Sequence, residues 1–206
     1  MSQPHEFVVC SSDTLYIGKI LALRLDQVIM PGGREAKREV VEHLGSVVIL
    51  PLHDDGSVTM IDQYRHALGR RLRELPAGLL DASGEDPLAT AQRELLEEVG
   101  YVAQQWSVLV DLVSSPGFSD ESQRVFMARG LTQVERPPSI DEEADLDVVR
   151  LPLDDAVRQV LTGEIVNGPA VAGLLAAHAV LAKIAQPRPG NSPWPDRPTR
   201  FASRRQ

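Results

Sequence analysis

The sequence predicts an α/β domain, with a mixed sheet between helices and an antiparallel β arm in front of it. Three observations carry this reading. The run SVVILPL at 46–52 is continuously apolar and reads as a buried strand. Residues 87–99 place Leu88, Ala91, Leu95 and Val99 on one face at helical spacing. Residues 14–43 alternate between apolar and polar and are broken by Pro31-Gly32-Gly33, the pattern of an extended, hairpin-like arm.

Taken in order, the arm is followed by the 46–52 strand. The turn signal Asp54-Asp55-Gly56 then leads into a second strand, SVTMIDQY. The arginine- and glycine-rich stretch from Gln63 to Pro87 reads as loop and short strand. Asp86 suits an N-cap, Pro87 the first helical position and Gly100 the left-handed stop, so the helix is predicted over 87–99. Strand-like runs follow at WSVLVDLVSS and SQRVFMARG, then a polar acidic segment at 135–147, then helical patterns at 153–161 and 169–184. From residue 186 onward, Pro187, Pro189, Pro193, Pro195 and Pro198 predict an extended tail. The expected division is an arm over 1–43, a main domain over 44–185 and a proline-rich tail over 186–206.

Composition narrows the function classes. A chain of 206 residues, 43% hydrophobic and 24% charged, can bury a core without disulfides or metal staples. Cys10 is the single cysteine, so no internal disulfide forms, which suits a reducing compartment. The N-terminal MSQPHEF has no basic region followed by an apolar stretch, and a cytoplasmic protein is expected. The most apolar segment, 170–185, contains His178 and Lys183 and is short for a bilayer, so no membrane partner is expected. A formal net charge of −8 repels a phosphate backbone and argues against a nucleic-acid polymer as partner. A small anion needs a local cationic site, and in an acidic protein a bound divalent ion is its natural source.

The helix at 87–99 shows where such an ion would sit. Glu94, Glu97 and Glu98 occupy an arc of about 100 degrees, given 3.6 residues per turn. Glu94 and Glu98 form an i, i+4 like-charge pair in the last two turns, where the macrodipole favours cations, and no lysine or arginine of the last turn offsets them. Arg93 can pair with Glu97. A solvated acidic face is common for an isolated Glu-Glu pair, but a hard divalent cation taking oxygens from Glu94 and Glu98 accounts better for this arrangement.

The glutamates also sit in a fixed frame: Gly78, Glu85, Arg93-Glu94-Leu95, Glu97-Glu98, Gly100-Tyr101. Gly78 to Tyr101 resembles the Nudix box, with the family's seven residues between Glu85 and Arg93 and one departure, six residues instead of five between Gly78 and Glu85. The resemblance implies a Nudix-type α/β/α sandwich. It also implies Mg2+ or Mn2+ held by Glu94, Glu98 and the main-chain carbonyl of Ala77. Glu97 would take a further ion or orient the attacking water, with Arg93 as a supporting residue that fixes the glutamates. The acidic loop at 140–145 is the natural place for the base. In the ADP-ribose pyrophosphatase branch a glutamate of this region serves, which favours Glu143 with Glu142 as the alternative.

The segments REVVEH at 38–43, QYRHALGRRLRELPAGLL at 63–80 and SPGFSDE at 115–121 extend the resemblance to that branch, and Pro116, fifteen positions past Tyr101, matches its proline mark. They imply Arg38 on the adenine side of the substrate, Arg65 on the phosphates and Ser115 nearby. The predicted reaction is metal-dependent hydrolysis of ADP-ribose to AMP and ribose 5-phosphate. Other readings are a Nudix hydrolase of another nucleotide sugar, a dinucleoside polyphosphate or an oxidised nucleotide, or a catalytically silent nucleotide sensor. A two-stranded arm is marginal alone, and the branch exchanges such arms between subunits. A homodimer is therefore expected, with Arg38 completing the partner's site.

Overall fold

The computed structural model describes residues 5–82, 84–138 and 145–204. In chain order its strands are β1 (Val9–Ile17), β2 (Leu21–Ile29), β3 (Glu35–His43), β4 (Ser46–Pro51), β5 (Ser57–Arg65), β6 (Arg70–Glu74), β7 (Ala77–Leu79), β8 (Tyr101–Val113), β9 (Ser122–Gln133), β10 (Asp147–Pro152) and β11 (Arg188–Pro189). The helices are α1 (Pro87–Val99), α2 (Leu153–Thr162), α3 (Gly168–Leu181) and α4 (Arg200–Arg204). The chain forms two compact units. One comprises Met1–Gly45, Val113–Ser122 and Asp196–Gln206, the other Ser46–Leu112 and Gln123–Pro195.

In the first unit β1, β2 and β3 form an antiparallel sheet in that order. The arm thus has three strands and begins at Val9, ahead of the expected start at residue 14. The polar run Ser11-Ser12-Asp13 inside β1 interrupts the alternation that would have revealed it, and backbone pairing to β2 carries the strand instead. Gly32 and Gly33 take positive φ at the β2–β3 turn, where the Gly33 N–H reaches the Met30 carbonyl at 2.9 Å. Every second residue of β2, from Ala22 to Val28, is buried, including the charged pair Arg24 and Asp26 at 3.0 Å.

The tail is less extended than its prolines suggest, because α4 closes this unit. Five residues are too few to hold a helix by propensity. The fully buried Phe201 and the bonds from the Arg204 guanidinium to the buried Glu42 hold it against β3.

The second unit is built in layers. Its larger sheet, ordered β11-β8-β9-β4-β7, is mixed: β4 runs parallel to β9 and antiparallel to β7. The smaller sheet, β10-β5-β6, is antiparallel. All six residues of β4 are buried because both faces are covered. Val47 and Ile49 pack with Ala91, Leu95 and Val99 of α1. Val48 and Leu50 pack with Leu153 and Ala156 of α2 and with Ala170, Leu174 and Ala177 of α3. The two-residue period of the strand thus sorts its side chains between helices on opposite faces, giving the α/β/α sandwich the sequence predicts.

β10 was not predicted. Its residues are half exposed and follow an acidic run, so neither apolar continuity nor clear alternation marks it; pairing to β5 defines it. At the other sheet edge, β11 pairs with Ser107 and Val108 of β8. The segment after it is tied down by the buried Arg124, which bonds Asp111 at 2.7 Å and the carbonyls of Ser192 and Pro193 at 2.6 and 2.8 Å. The Arg124 guanidinium also lies 4.9 Å from the Trp194 ring centre, a cation–π contact.

Candidate active site

The candidate site is organised by α1, whose ends are those predicted. The Asp86 side chain accepts from the Leu88 N–H at 2.9 Å, Pro87 occupies the first turn, and Gly100 stops the helix with φ of 70°. With Ala91, Leu95 and Val99 turned into the core, the neighbouring stripe brings Glu94 and Glu98 against β7. These two residues are only 8% and 5% exposed.

The backbone of β7 makes room for both. The Ala77 N–H donates to Glu98 Oε2 at 2.9 Å. Gly78 lies so close to Glu94 that a Cβ there would fall 2.1 Å from Oε1 and 2.3 Å from Cγ. Only glycine allows this approach, which gives the first residue of the box a steric reason.

Arg93 lies among the other carboxylates. Its guanidinium is 2.8 Å from Glu94 Oε1, 2.8 Å from Glu97 Oε2 and 3.3 Å from Glu85 Oε2. Burial works against its charge, but the bond to Glu85, the charge of Glu94 and the bond to Glu97 outweigh it and raise its pKa above the ordinary value. The Thr90 hydroxyl donates to Glu85 Oε2 at 2.9 Å. That bond, followed by the one from Arg93, holds the Glu85 carboxyl below its usual range. The end of the helix also receives a cation from outside itself: Arg136 Nε donates to the Glu97 carbonyl at 2.7 Å. The positive charge absent from the last turn of α1 is thus supplied 39 residues later in the chain.

A stability prediction follows from the lowered Glu85 pKa. The contribution of a depressed carboxyl is present above its ordinary pKa and lost as pH falls through its folded value. Thr90→Val removes the leading cause at nearly constant volume. Urea unfolding should show a loss of about 1 kcal/mol near pH 7 that shrinks as pH falls through the lowered Glu85 pKa. An equal loss across that range would mean that Thr90 acts through packing alone.

Two buried carboxylates one turn apart, with Glu85 and Glu97 beside them and one arginine among the four, leave an excess of negative oxygen that suits a hard cation. Among the described residues no three His, Cys, Asp or Glu side chains converge as a complete metal cage.

The remaining predicted residues are distributed as follows. Arg65, at the end of β5, makes two parallel bonds to Glu74, Nε to Oε1 at 2.9 Å and Nη2 to Oε2 at 2.6 Å. Arg38 is exposed on β3 in the first unit, with Nη1 donating to the Lys37 carbonyl at 2.8 Å. Ser115, also in the first unit, closes a turn whose Phe118 and Ser119 N–H groups donate to its carbonyl. Glu142 and Glu143 lie outside the described residues. Sequence reasoning missed Thr90, Glu74 and Arg136. Nothing in its spacing distinguishes Thr90 from any helix threonine, and Glu74 hides in RRLRE, a charge run that reads as solvated.

The NUDIX domain model matches residues 42–173. The chain is 58% identical over 201 residues to an ADP-ribose pyrophosphatase of Mycobacterium tuberculosis (strain ATCC 25618 / H37Rv), covering 98% of this chain and 97% of the relative. It is 34% identical over 171 residues to a methanol dehydrogenase activator of Bacillus methanolicus, covering 83% and 92%. A crystal structure of an ADP compounds hydrolase matches with a TM-score of 0.76 at 18% identity, covering 90% of this chain and 100% of that one. At that identity the likeness speaks to the fold.

Proposed function

The chain belongs to the NUDIX domain family, and on that premise we propose that it hydrolyses the pyrophosphate bond of ADP-ribose to AMP and ribose 5-phosphate, using Mg2+ or Mn2+. The observation that carries the substrate is the 58% identity, over almost the full length of both chains, to a protein named as an ADP-ribose pyrophosphatase. The buried Glu94 and Glu98 beside β7 support the chemistry.

Glu94, Glu98 and the Ala77 carbonyl would hold the cation. When bound, it supplies neutralisation of charge on the phosphate oxygens and a more acidic water. Arg93 keeps the glutamates apart and oriented, and Glu97 takes a further ion or orients the water. Arg65 grips the diphosphate, since a guanidinium matches two phosphate oxygens at once. Glu143, or alternatively Glu142, accepts the water proton. Arg38 meets the adenine side and Ser115 the neighbouring part of the substrate.

We read the protein as a cytoplasmic homodimer with exchanged arms. Leu15, Tyr16 and Ile17 of β1 are each more than half exposed, an apolar stretch that a second subunit would cover. No helix among the described residues is long and apolar enough to cross a membrane.

Incubating the purified protein with ADP-ribose and magnesium, or with a chelator, tests the reading. AMP and ribose 5-phosphate should form with the metal and fall to background with the chelator. Intact ADP-ribose alongside hydrolysis of a different nucleotide would overturn the substrate assignment and leave the chemistry standing.

A further inference from the structure

We infer that Glu74 is a positioning residue that aims the Arg65 guanidinium at the substrate diphosphate, an inference that rests on the reading of Arg65 as the phosphate-gripping arginine. The two side chains are unlike in exposure. That of Arg65 is 42% exposed, whereas that of Glu74 is 3% exposed. A surface ion pair of two mobile side chains orders little. Here one partner is fixed, because Glu74 sits at the end of β6, opposite Ile61 of β5, with its carboxylate removed from water. A desolvated carboxylate demands compensation. Among the described residues Arg65 gives it, with two parallel bonds that fix the plane of the guanidinium as well as its place.

The short connection from β6 to β7 ties this pair to the carboxylate cluster. Three residues after Glu74 stands Ala77, whose N–H bonds Glu98. Between them the Pro76 carbonyl accepts from the Ile49 N–H at 2.8 Å, pinning the connection to β4. Three extended residues span at most about 10 Å, so the held guanidinium and the helix carboxylates are linked by a short, anchored piece of backbone. Such a linkage sets a cation at a defined offset from a metal-binding pair, as a ligand with two adjacent phosphates requires. The cost of ordering a long arginine side chain is then met on folding and not on each binding event.

The inference predicts a specific kinetic pattern. Glu74→Gln keeps the shape but weakens the hold, and should raise KM for ADP-ribose about tenfold while changing kcat less than threefold. Arg65→Ala should lose kcat/KM by a similar factor or more, and Glu74→Gln/Arg65→Ala should be no worse than Arg65→Ala alone. Glu74→Asp should recover part of the affinity. Circular dichroism and thermal melting of each variant separate loss of fold from loss of aim.

A multiplicative loss in the double variant, or an unchanged KM in Glu74→Gln, overturns the inference. Wild-type protein that leaves ADP-ribose intact overturns the substrate reading instead. The same four variants are then compared by calorimetric binding of ADP with magnesium, where non-additive losses of affinity support the positioning role and additive or absent losses refute it.

Discussion

Glu98→Gln should lower metal-dependent turnover of ADP-ribose by about a thousandfold and leave the fold intact. A ligated divalent ion contributes several kcal/mol of transition-state stabilisation, and each 1.36 kcal/mol is tenfold in rate. With Glu98 as the proposed ligand, replacing its carboxylate by a neutral amide removes much of that. The fold should survive because the bond that Glu98 makes is one glutamine can keep: its amide oxygen can still accept from the Ala77 N–H. The substitution also relieves the i, i+4 repulsion with Glu94, worth a few tenths of a kcal/mol, so the melting temperature should hold or rise slightly. The measurement is turnover against magnesium concentration beside a thermal melt. Full activity in Glu98→Gln would remove this carboxylate from the metal site, and a collapsed melt would mark it as structural.

Gly78→Ala is the second large effect, and it acts without touching a charge. Gly78 is not at positive φ, so alanine meets no backbone penalty there. Its Cβ would instead overlap Glu94 from Cγ to Oε1, within 2.1 to 2.3 Å. Cγ is not the free end of the side chain, so a small shift of the carboxylate cannot relieve the overlap and Glu94 must change rotamer. We expect a loss of about 2 kcal/mol in stability, in the range of an overpacked site, and about a hundredfold loss in turnover, since a displaced ligand of about 1 Å suffices for that. Chemical denaturation and steady-state kinetics check the two parts. If activity survives, Glu94 in its present position is not needed for the reaction.

Much of this was legible in the chain itself. The ends of α1 could be read to the residue because Asp86, Pro87 and Gly100 each have a conformational reason to stand there. β4 was legible because a strand covered on both faces is apolar throughout. What escaped depends on partners distant in sequence. The bond from Arg136 to the Glu97 carbonyl at the end of α1 and the ion pairs of Arg204 with Glu42 and Arg65 with Glu74 are contacts that no local pattern encodes. The third strand of the arm was hidden for a related reason: β1 is exposed along its whole length, so burial imposed no alternation on it. The short helix α4 exists through tertiary contact and has no sequence signal of its own strength.

The way the larger sheet ends has a consequence for handling the chain. Its outermost strand, β11, contains Pro189, which has no N–H to offer, and further prolines follow it. The tail therefore presents neighbours with a poor template for strand addition. Proteolysis or a shortened expression boundary just before Arg188 would strip this cover from β8 and bare the backbone of Ser107 and Val108. The expected failure is edge-to-edge self-association, seen as concentration-dependent precipitation, together with a lowered melting point, because the same cut removes the buried Phe201 and takes Ser192, Pro193 and Arg204 from the buried Arg124 and Glu42.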